Sequence, residues 1–561
     1  MNQSVPLKTG GQILVECLRV HGVELAFCVP GESYLPVLDA LYAAREELRL
    51  IVCRQEGGAA FMAEAYGKLT GRPGICFVTR GPGATNGSIG VHTAYQDSAP
   101  MILFIGQVGG DVVEREAFQE IDYRRMFGQM AKWVAQIDRA DRIPEYVSHA
   151  FHLAVSGRPG PVVLALPEDV LVTPAAAPAS RPYRRVKPHP GPGELERLGQ
   201  LLAAAQRPLV VLGGGDWTAQ ACDDARLFLE NWNLPAVCSF RRQDLLDNRH
   251  PQYAGELGIA ISPDLRKRVG EADLIVTLGA RLGEMTTGGY TLFEIPQPRQ
   301  RVVHVHPGIE ELGRVYAPDL MINSGMAEFA QHAKRMGAPE AGIRQSWTET
   351  LRAEYLKTIE PVPMAGALNL SRVVAWLRER LPAGSIVTNG AGNFSGWVQR
   401  FYQYTGFRTQ LGPTNGAMGY GVPAAIAAKL LHPERMVLCF SGDGDYLMTG
   451  QELATAVQYG VSVLFFVVNN AMYGTIRMHQ ERAYPARVYG TALRNPDFAA
   501  LARAYGAHGD SVDRTEDFAP AFERAAASAK PSLIELRIDP EAITTRTTLT
   551  AIREQALKRR S

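Results

Sequence analysis

The stretch MVLCFSGDGDYLMTGQELATAVQYGVSVLFFVVNNAMYG, residues 436–474, decides the fold of this chain. Its apolar run Met436 to Phe440 reads as a buried parallel strand, Met448 to Tyr459 as a helix stopped by Gly460, and Val461 to Val468 as the next strand. Parallel strands joined through a helix end at one sheet edge, and neighbouring tips lie about 5 Å apart. Gly442-Asp443-Gly444 follows the first strand and Asn469-Asn470 the second, so Asp443 and Asn470 converge on one ion. A carboxylate and an amide oxygen suit a hard cation such as magnesium. They fill only part of an octahedron, and diphosphate oxygens, water and a backbone carbonyl complete it. Gly442 and Gly444 let phosphate approach the backbone near a helix start, where N–H groups favour anions. Either half alone reads as a turn with a capping residue; both halves, in order across one strand-helix-strand unit, favour a cofactor site. No phosphate-loop lysine follows Gly444, which argues against a nucleotide triphosphatase.

Working outward, 561 residues imply three or four domains of ordinary size. The expected divisions are a first α/β domain (1–172), a proline-rich linker (173–193), a central domain (194–336), a second linker (337–367), a third α/β domain carrying the metal motif (368–540) and a polar, basic tail (541–561) that forms a helix or a flap. Pro174, Pro178, Pro182, Pro188, Pro190 and Pro192 suit an extended connector rather than a packed sheet. The net charge of +1 leaves no basic footprint for nucleic acid and no polybasic membrane patch. Seven cysteines without metal-ligand spacing read as reduced, structural thiols. With no signal-like start and no apolar run of bilayer length, a cytoplasmic location is expected.

Four further segments, in order, carry a resemblance over nearly the whole chain. They are Arg54-Gln55-Glu56-Gly57-Gly58, Gly81-Pro82-Gly83-Ala84-Thr85-Asn86, Gly160-Pro161-Val162-Val163 and Gly416-Ala417-Met418-Gly419-Tyr420-Gly421. Together with the motif at 442–470 they resemble the thiamine diphosphate-binding superfamily of acetolactate synthase, pyruvate oxidase and benzoylformate decarboxylase, and are most similar to acetolactate synthase large subunits. The resemblance implies three doubly wound parallel-sheet domains: pyrimidine-binding, central and diphosphate-binding. It also implies an active site shared between subunits, with a homodimer as the minimum unit and a homotetramer as the larger assembly.

By the same resemblance Glu56 activates the cofactor. A carboxyl on the pyrimidine ring nitrogen favours the imino tautomer, whose exocyclic nitrogen then takes the thiazolium proton. Met418 corresponds to the apolar wedge beneath the cofactor, and the backbone at Gly416 and Met418 bonds the pyrimidine. Asp443, Asn470 and the carbonyl of Met472 correspond to magnesium ligands, and Gly442, Gly444 and Tyr473 to cofactor contacts. Ala117-Phe118-Gln119-Glu120 resembles a segment whose glutamine points into the active site; the plain reading of Gln119 is a solvated helix residue. Lys132 stands open between an entrance-channel charge and a surface residue.

Several positions depart from that pattern. Gln55 replaces a frequent histidine, and Arg80 replaces the serine usual in acetolactate synthases. Glu32 sits in a loop that faces the reacting carbon in relatives. It would repel a bare 2-oxo carboxylate if ionised, donate a proton, pair with Arg80, or be a solvent-facing turn acid. On the segment that also carries Ile476, His479 replaces the tryptophan that favours 2-oxobutanoate in biosynthetic enzymes. Gly213-Gly214-Gly215 leaves FAD open, since a bare glycine turn says little and the acids around Arg281 are missing. His304 and His306 at a strand end read as structural. The expected activity is thiamine diphosphate- and magnesium-dependent decarboxylation of a 2-oxo acid with carboligation to a second carbonyl compound. Alternatives are a simple decarboxylase, an acyloin lyase or ligase, a flavin-linked oxidase and a catalytically silent cofactor-binding protein. Nothing in the sequence assigns a regulatory subunit.

Overall fold

The computed structural model describes residues 6–259, 261–337 and 344–560. The chain divides into two compact units, Met1–Val186 and Lys187–Ser561. The first holds one six-stranded sheet and the second holds two, and every strand pair in these three sheets is parallel.

In the first unit the strands are, in chain order, Leu25–Cys28, Arg49–Val52, Gly74–Val78, Met101–Gln107, Trp133–Gln136 and Pro161–Pro167. Their spatial order is 2-1-3-4-6-5. The last sheet runs through Ile386–Asn389, Gln410–Leu411, Val437–Gly442, Leu464–Asn469, His508–Val512 and Ser532–Arg537, and its order is again 2-1-3-4-6-5. The two outer sheets therefore share one topology. In both, strands 1 and 3 are neighbours whose connections leave in opposite directions, a switch point where the carboxyl ends of the strands open a crevice for a ligand. The central sheet, Pro208–Leu212, Ala236–Ser239, Tyr253–Leu257, Leu274–Leu278, Arg301–His306 and Leu320–Asn323, has the order 3-2-1-4-5-6 of dinucleotide-binding folds.

The strand, helix, strand reading of 436–470 holds, with one change. Val437–Gly442 and Leu464–Asn469 are adjacent, in the register Gly442↔Val468. The expected helix over 448–459 is a 3-10 turn Gly450–Glu452 followed by a shorter helix Leu453–Gln458, and a single helical turn, Asp443–Tyr446, precedes it. Thr449 diverts its hydroxyl to the Gly419 carbonyl at 2.6 Å, and Gly450 passes the Tyr446 ring so closely that a Cβ would lie 2.6 Å from it.

Both expected linkers carry structure. Pro174–Ala175 pairs antiparallel with Lys8–Thr9, where a proline lacking an N–H is tolerated on a two-residue edge. Pro192 opens the helix Pro192–Ala204 at a position where its missing donor costs nothing. The stretch 337–367 holds the helix Gln345–Thr358. Its Trp347 and Leu351 pack with Leu209, Val211 and Ile275 of the central core, and Trp347 Nε1 donates to the Pro208 carbonyl at 2.8 Å. Residues 338–343 of that expected linker lie outside the described residues. The tail forms the helix Leu549–Lys558, whose Leu549 and Ile552 cluster with Met478 and Ile543. Among the described residues no helix is long and apolar enough to cross a membrane. All seven cysteines are free thiols, and six of them are buried.

Candidate active site

In the unit 187–561 the carboxyl ends of strands 3 and 4 bring Asp443 and Asn470 to one edge of the last sheet. Asp443 is 3 % exposed, and burial pushes its carboxyl above the usual carboxylate range. Hydrogen bonds act against that shift: the Gly444 N–H donates to Oδ1 at 2.9 Å and Asn495 Nδ2 to Oδ2 at 2.7 Å. Asn495 also donates to Asn469 Oδ1 at 2.9 Å, and Asn469 Nδ2 donates to Glu535 Oε1 at 2.6 Å. Asn469 is thus tied into the sheet. Asn470 is half-buried, and its side-chain oxygen accepts only a long bond, 3.3 Å, from the Met472 N–H.

Strand 1 of this sheet ends at Asn389, beside strand 3 at the switch point. Asp445, 2 % exposed, accepts from the Ala391 N–H at 3.0 Å and the Gly419 N–H at 2.9 Å. One carboxylate therefore joins the loop after strand 1, the loop after strand 3 and the segment 416–421. Within that segment Gly416 (φ 72°) and Gly419 (φ 80°) take left-handed backbone, and Met418 is half-buried beside them. A Cβ on Gly444 would lie 2.5 Å from the Tyr473 ring. Three buried polar atoms around the crevice, Asn389 Oδ1, Asp445 Oδ2 and Asn495 Oδ1, have no hydrogen-bond partner. Orphaned oxygens, glycine backbone and a pinned carboxylate fit a cation with its diphosphate. Among the described residues no group of three or more His, Cys, Asp or Glu side chains could hold a metal.

Helix Gly474–Ala483 carries Ile476 and His479, both exposed. Its buried Glu481 pairs with Arg477 at 2.6 Å and with Arg553 of the tail helix at 2.9 Å.

In the unit 1–186 Glu56 is the first residue of helix Glu56–Thr70, which Gln55 caps by accepting the Gly58 N–H at 3.1 Å. The glycine-rich segment at 81–86 is the start of helix Gly81–Asp97. Gly90 lets this helix close on the first, since a Cβ there would lie 2.3 Å from the Ala60 Cβ. That approach brings Asn86 Nδ2 to 3.0 Å from Glu56 Oε2.

The switch point of this sheet holds Arg80, 8 % exposed, whose guanidinium pairs with Glu168 and lies 3.6 Å from Glu32. Glu32 lies within ion-pair distance of Arg80 while its side chain remains largely exposed. Gln119 lies in a turn with φ 66°, not on a helix, and accepts the Gly81 N–H at 2.9 Å through its carbonyl. The Lys132 ammonium donates to the Leu153 and Ser156 carbonyls at the end of helix Ile143–Val155.

The central sheet gives its glycine turn an internal explanation. A Cβ on Gly213 would meet Ser239 Oγ at 2.1 Å, and one on Gly214 the Gly279 carbonyl at 1.8 Å. His304 Nε2 bonds with the Ala280 carbonyl at 3.1 Å, and burial followed by its neighbour His306 pushes it down to about 4. Both histidines are structural in this setting.

Sequence reasoning missed Asn86, Glu168, Asp445 and Asn495. Asn86 and Asp445 stood inside quoted motifs, but partners 30 and 26 residues away are set by packing. Nothing near Asn495 in the sequence marks it.

The chain matches three families: thiamine pyrophosphate enzyme, N-terminal TPP binding domain, over residues 8–126; its central domain over 195–332; and its C-terminal TPP binding domain over 390–536. It is 31 % identical over 543 residues to the acetolactate synthase isozyme 2 large subunit of Escherichia coli (strain K12), covering 94 % of this chain and 95 % of that protein. It is 33 % identical over 556 residues to the acetolactate synthase large subunit of Parasynechococcus marenigrum (strain WH8102), covering 94 % and 87 %. To that of Lactococcus lactis subsp. lactis (strain IL1403) it is 31 % identical over 539 residues, covering 94 % and 92 %.

Proposed function

Because this chain belongs to the acetolactate synthase-like family of thiamine pyrophosphate enzymes, we propose that it decarboxylates a 2-oxo acid with thiamine diphosphate and magnesium and joins the remaining fragment to a second carbonyl compound. The observation that carries this reading is the placement of a pinned, buried carboxylate, Asp443, one strand away from an amide, Asn470, beside a glycine-lined crevice. When bound, thiamine diphosphate supplies a nucleophilic carbon and an electron sink for decarboxylation.

In this reading Asp443, Asn470 and the Met472 carbonyl would hold the cation, whose charge would favour the ionised form of the buried Asp443. Gly442 and Gly444 admit the diphosphate, with Tyr473 packed behind Gly444. The backbone of Gly416 and Met418 and the Met418 side chain receive the pyrimidine. Glu56 holds a proton at the pyrimidine nitrogen, and Asn86 positions it. In the homodimer, Gln119, Arg80 and Glu32 of one subunit and Ile476 and His479 of the other are the candidate contacts to the substrate, a small 2-oxo acid or aldehyde. Lys132 is left out because its charge is committed to a helix end. A homodimer is the minimum assembly, with a tetramer as the larger form.

A second reading concerns the acceptor. Arg80 already faces two acids, Glu168 and Glu32, so the group has no net positive charge to offer a carboxylate. That balance favours an uncharged aldehyde as acceptor over a second 2-oxo acid. NMR of 13C-labelled pyruvate with thiamine diphosphate and magnesium tests both. Acetolactate marks an acid acceptor, and a mixed acyloin formed only when an aldehyde is added marks the neutral one. Acetaldehyde alone marks a simple decarboxylase, and no turnover of any 2-oxo acid by cofactor-loaded protein refutes the proposal.

A further inference from the structure

One cavity in the unit 187–561 shares no lining residue with the Asp443 crevice. It opens at the edge of the central sheet, along strand Tyr253–Leu257, and encloses about 570 Å³ of non-atom space, part of it open to solvent. Leu351 and Tyr355 of helix Gln345–Thr358 form one wall, Gln399 and Arg400 at the end of helix Ser395–Phe401 another, and Arg546 and Glu256 complete it.

The charges in this cavity are unevenly spent. Glu354 is engaged by Arg268, with Nε 3.0 Å from its Oε1. Glu256 accepts the Arg241 N–H at 2.9 Å, and burial pushes its carboxyl up to about 7. The two guanidiniums are anchored to neutral carbonyls: Arg400 donates to Thr358 and Thr545, each at 2.7 Å, and Arg546 to Ile261 at 3.0 Å. Asp264 acts on Arg546, while Arg400 and Arg546 repel each other across the cavity. Independently, Gln399 is 7 % exposed and its side-chain Nε2 is buried with no hydrogen-bond partner. An unmet donor in native protein signals a missing acceptor.

We propose that this cavity binds a small oxygen-rich carboxylic acid, of the hydroxy- or oxo-acid class, with its carboxylate between Arg400 and Arg546 and a second oxygen on the Gln399 amide. Forked guanidiniums match a carboxylate, and the unmet Gln399 Nε2 in the wall is a donor. The occupant bridges helix Ser395–Phe401 to the C-terminal segment, whose helix Leu549–Lys558 packs on the helix bearing His479. Occupancy therefore tightens the tail against helix Gly474–Ala483.

Calorimetric titration of the whole protein with malate, citrate and inorganic phosphate tests this. The expected result is saturable malate or citrate binding that Arg546→Gln and Gln399→Leu each weaken by about tenfold, the loss of one charged hydrogen bond. Gln399→Leu removes an unpaired donor of similar shape, so its melting temperature should stay at the wild-type value and report folding. Glu56→Gln should bind malate like wild type, which separates this cavity from the reaction site. Absence of carboxylate binding at ~10 mM, roughly the weakest affinity worth assigning, overturns the proposal. So does binding that neither cavity variant changes, or binding of phosphate in preference to both acids.

Discussion

Asn495 donates its side-chain amide to Oδ2 of Asp443 at 2.7 Å, across 52 residues of sequence. The same nitrogen reaches Asn469, which is fixed in turn by Glu535, so the carboxylate at the end of strand 3 is aimed by a chain of side chains running into strand 6. A carboxylate held this way would lose little freedom on binding a cation.

Asn495→Leu should therefore weaken the cation site while the fold survives. Removing a hydrogen bond to a charged group costs about 1.5–3 kcal/mol, so the magnesium concentration for half-maximal activation should rise by roughly tenfold or more. Magnesium titration at saturating thiamine diphosphate measures it, and an unshifted midpoint would refute the positioning role.

Glu56 and Asn86 should separate in kinetics. Glu56→Gln should retain magnesium-dependent cofactor binding yet slow exchange of the thiazolium proton by about a hundredfold or more. Asn86→Ala removes only the partner at 3.0 Å and should slow exchange by a smaller factor. Deuterium exchange followed by NMR gives both values; equal losses would make Asn86 as necessary as the acid itself.

Arg80 should couple to Glu168. Arg80→Gln leaves Glu168 and Glu32, both solvent-accessible, without their cation and should destabilise the first unit by no more than about 1 kcal/mol, the range for solvent-screened ion pairs. In a double-mutant cycle by urea unfolding, Arg80→Gln with Glu168→Gln should cost less than the two single changes summed. Strict additivity would mean that the pair contributes nothing.

Acid should loosen the tail helix. Burial alone would raise Glu481, yet hydrogen bonds from Arg553, the Ala486 N–H and Arg477 outweigh it and hold the carboxyl down at about 2, against an ordinary 4.5. Its stabilising contribution is complete above about 4.5 and drains away as pH falls toward 2. The protection of residues 549–558 against hydrogen exchange, measured relative to the intrinsic rate at each pH, should fall across that window in wild type. Glu481→Gln should already show fast exchange at neutral pH, because breaking a buried pair costs about 3–5 kcal/mol. Identical exchange in the two proteins would separate the tail from Glu481.

Much of this protein was legible in its chain because the decisive signals are local. Apolar runs before Gly442 and Asn469 announce strands, a glycine stops the intervening helix, and the two short motifs fall at the same end of neighbouring strands because crossovers between parallel strands obey one handedness. That logic placed Asp443 and Asn470 together and recognised three α/β domains. The broken helix after Asp443 was not legible, since Thr449 and Gly450 answer to Gly419 and Tyr446 rather than to helical periodicity. Nor was the helix at 345–358, whose Trp347 and Leu351 declare their face only once the central core exists to receive them.

The sequence by itself determined the fold class, the cofactor motif and the order of the domains, because backbone periodicity and turn chemistry act within a few residues of where they are written. Tertiary structure alone decided which polar groups serve the site. Lys132 went to a helix end, Arg80 to two acids, Asn86 to Glu56 and Asn495 to Asp443. A side chain's charge and hydrogen bonds are satisfied by whatever packing brings within about 3 Å, and at separations of tens of residues no local pattern encodes that distance.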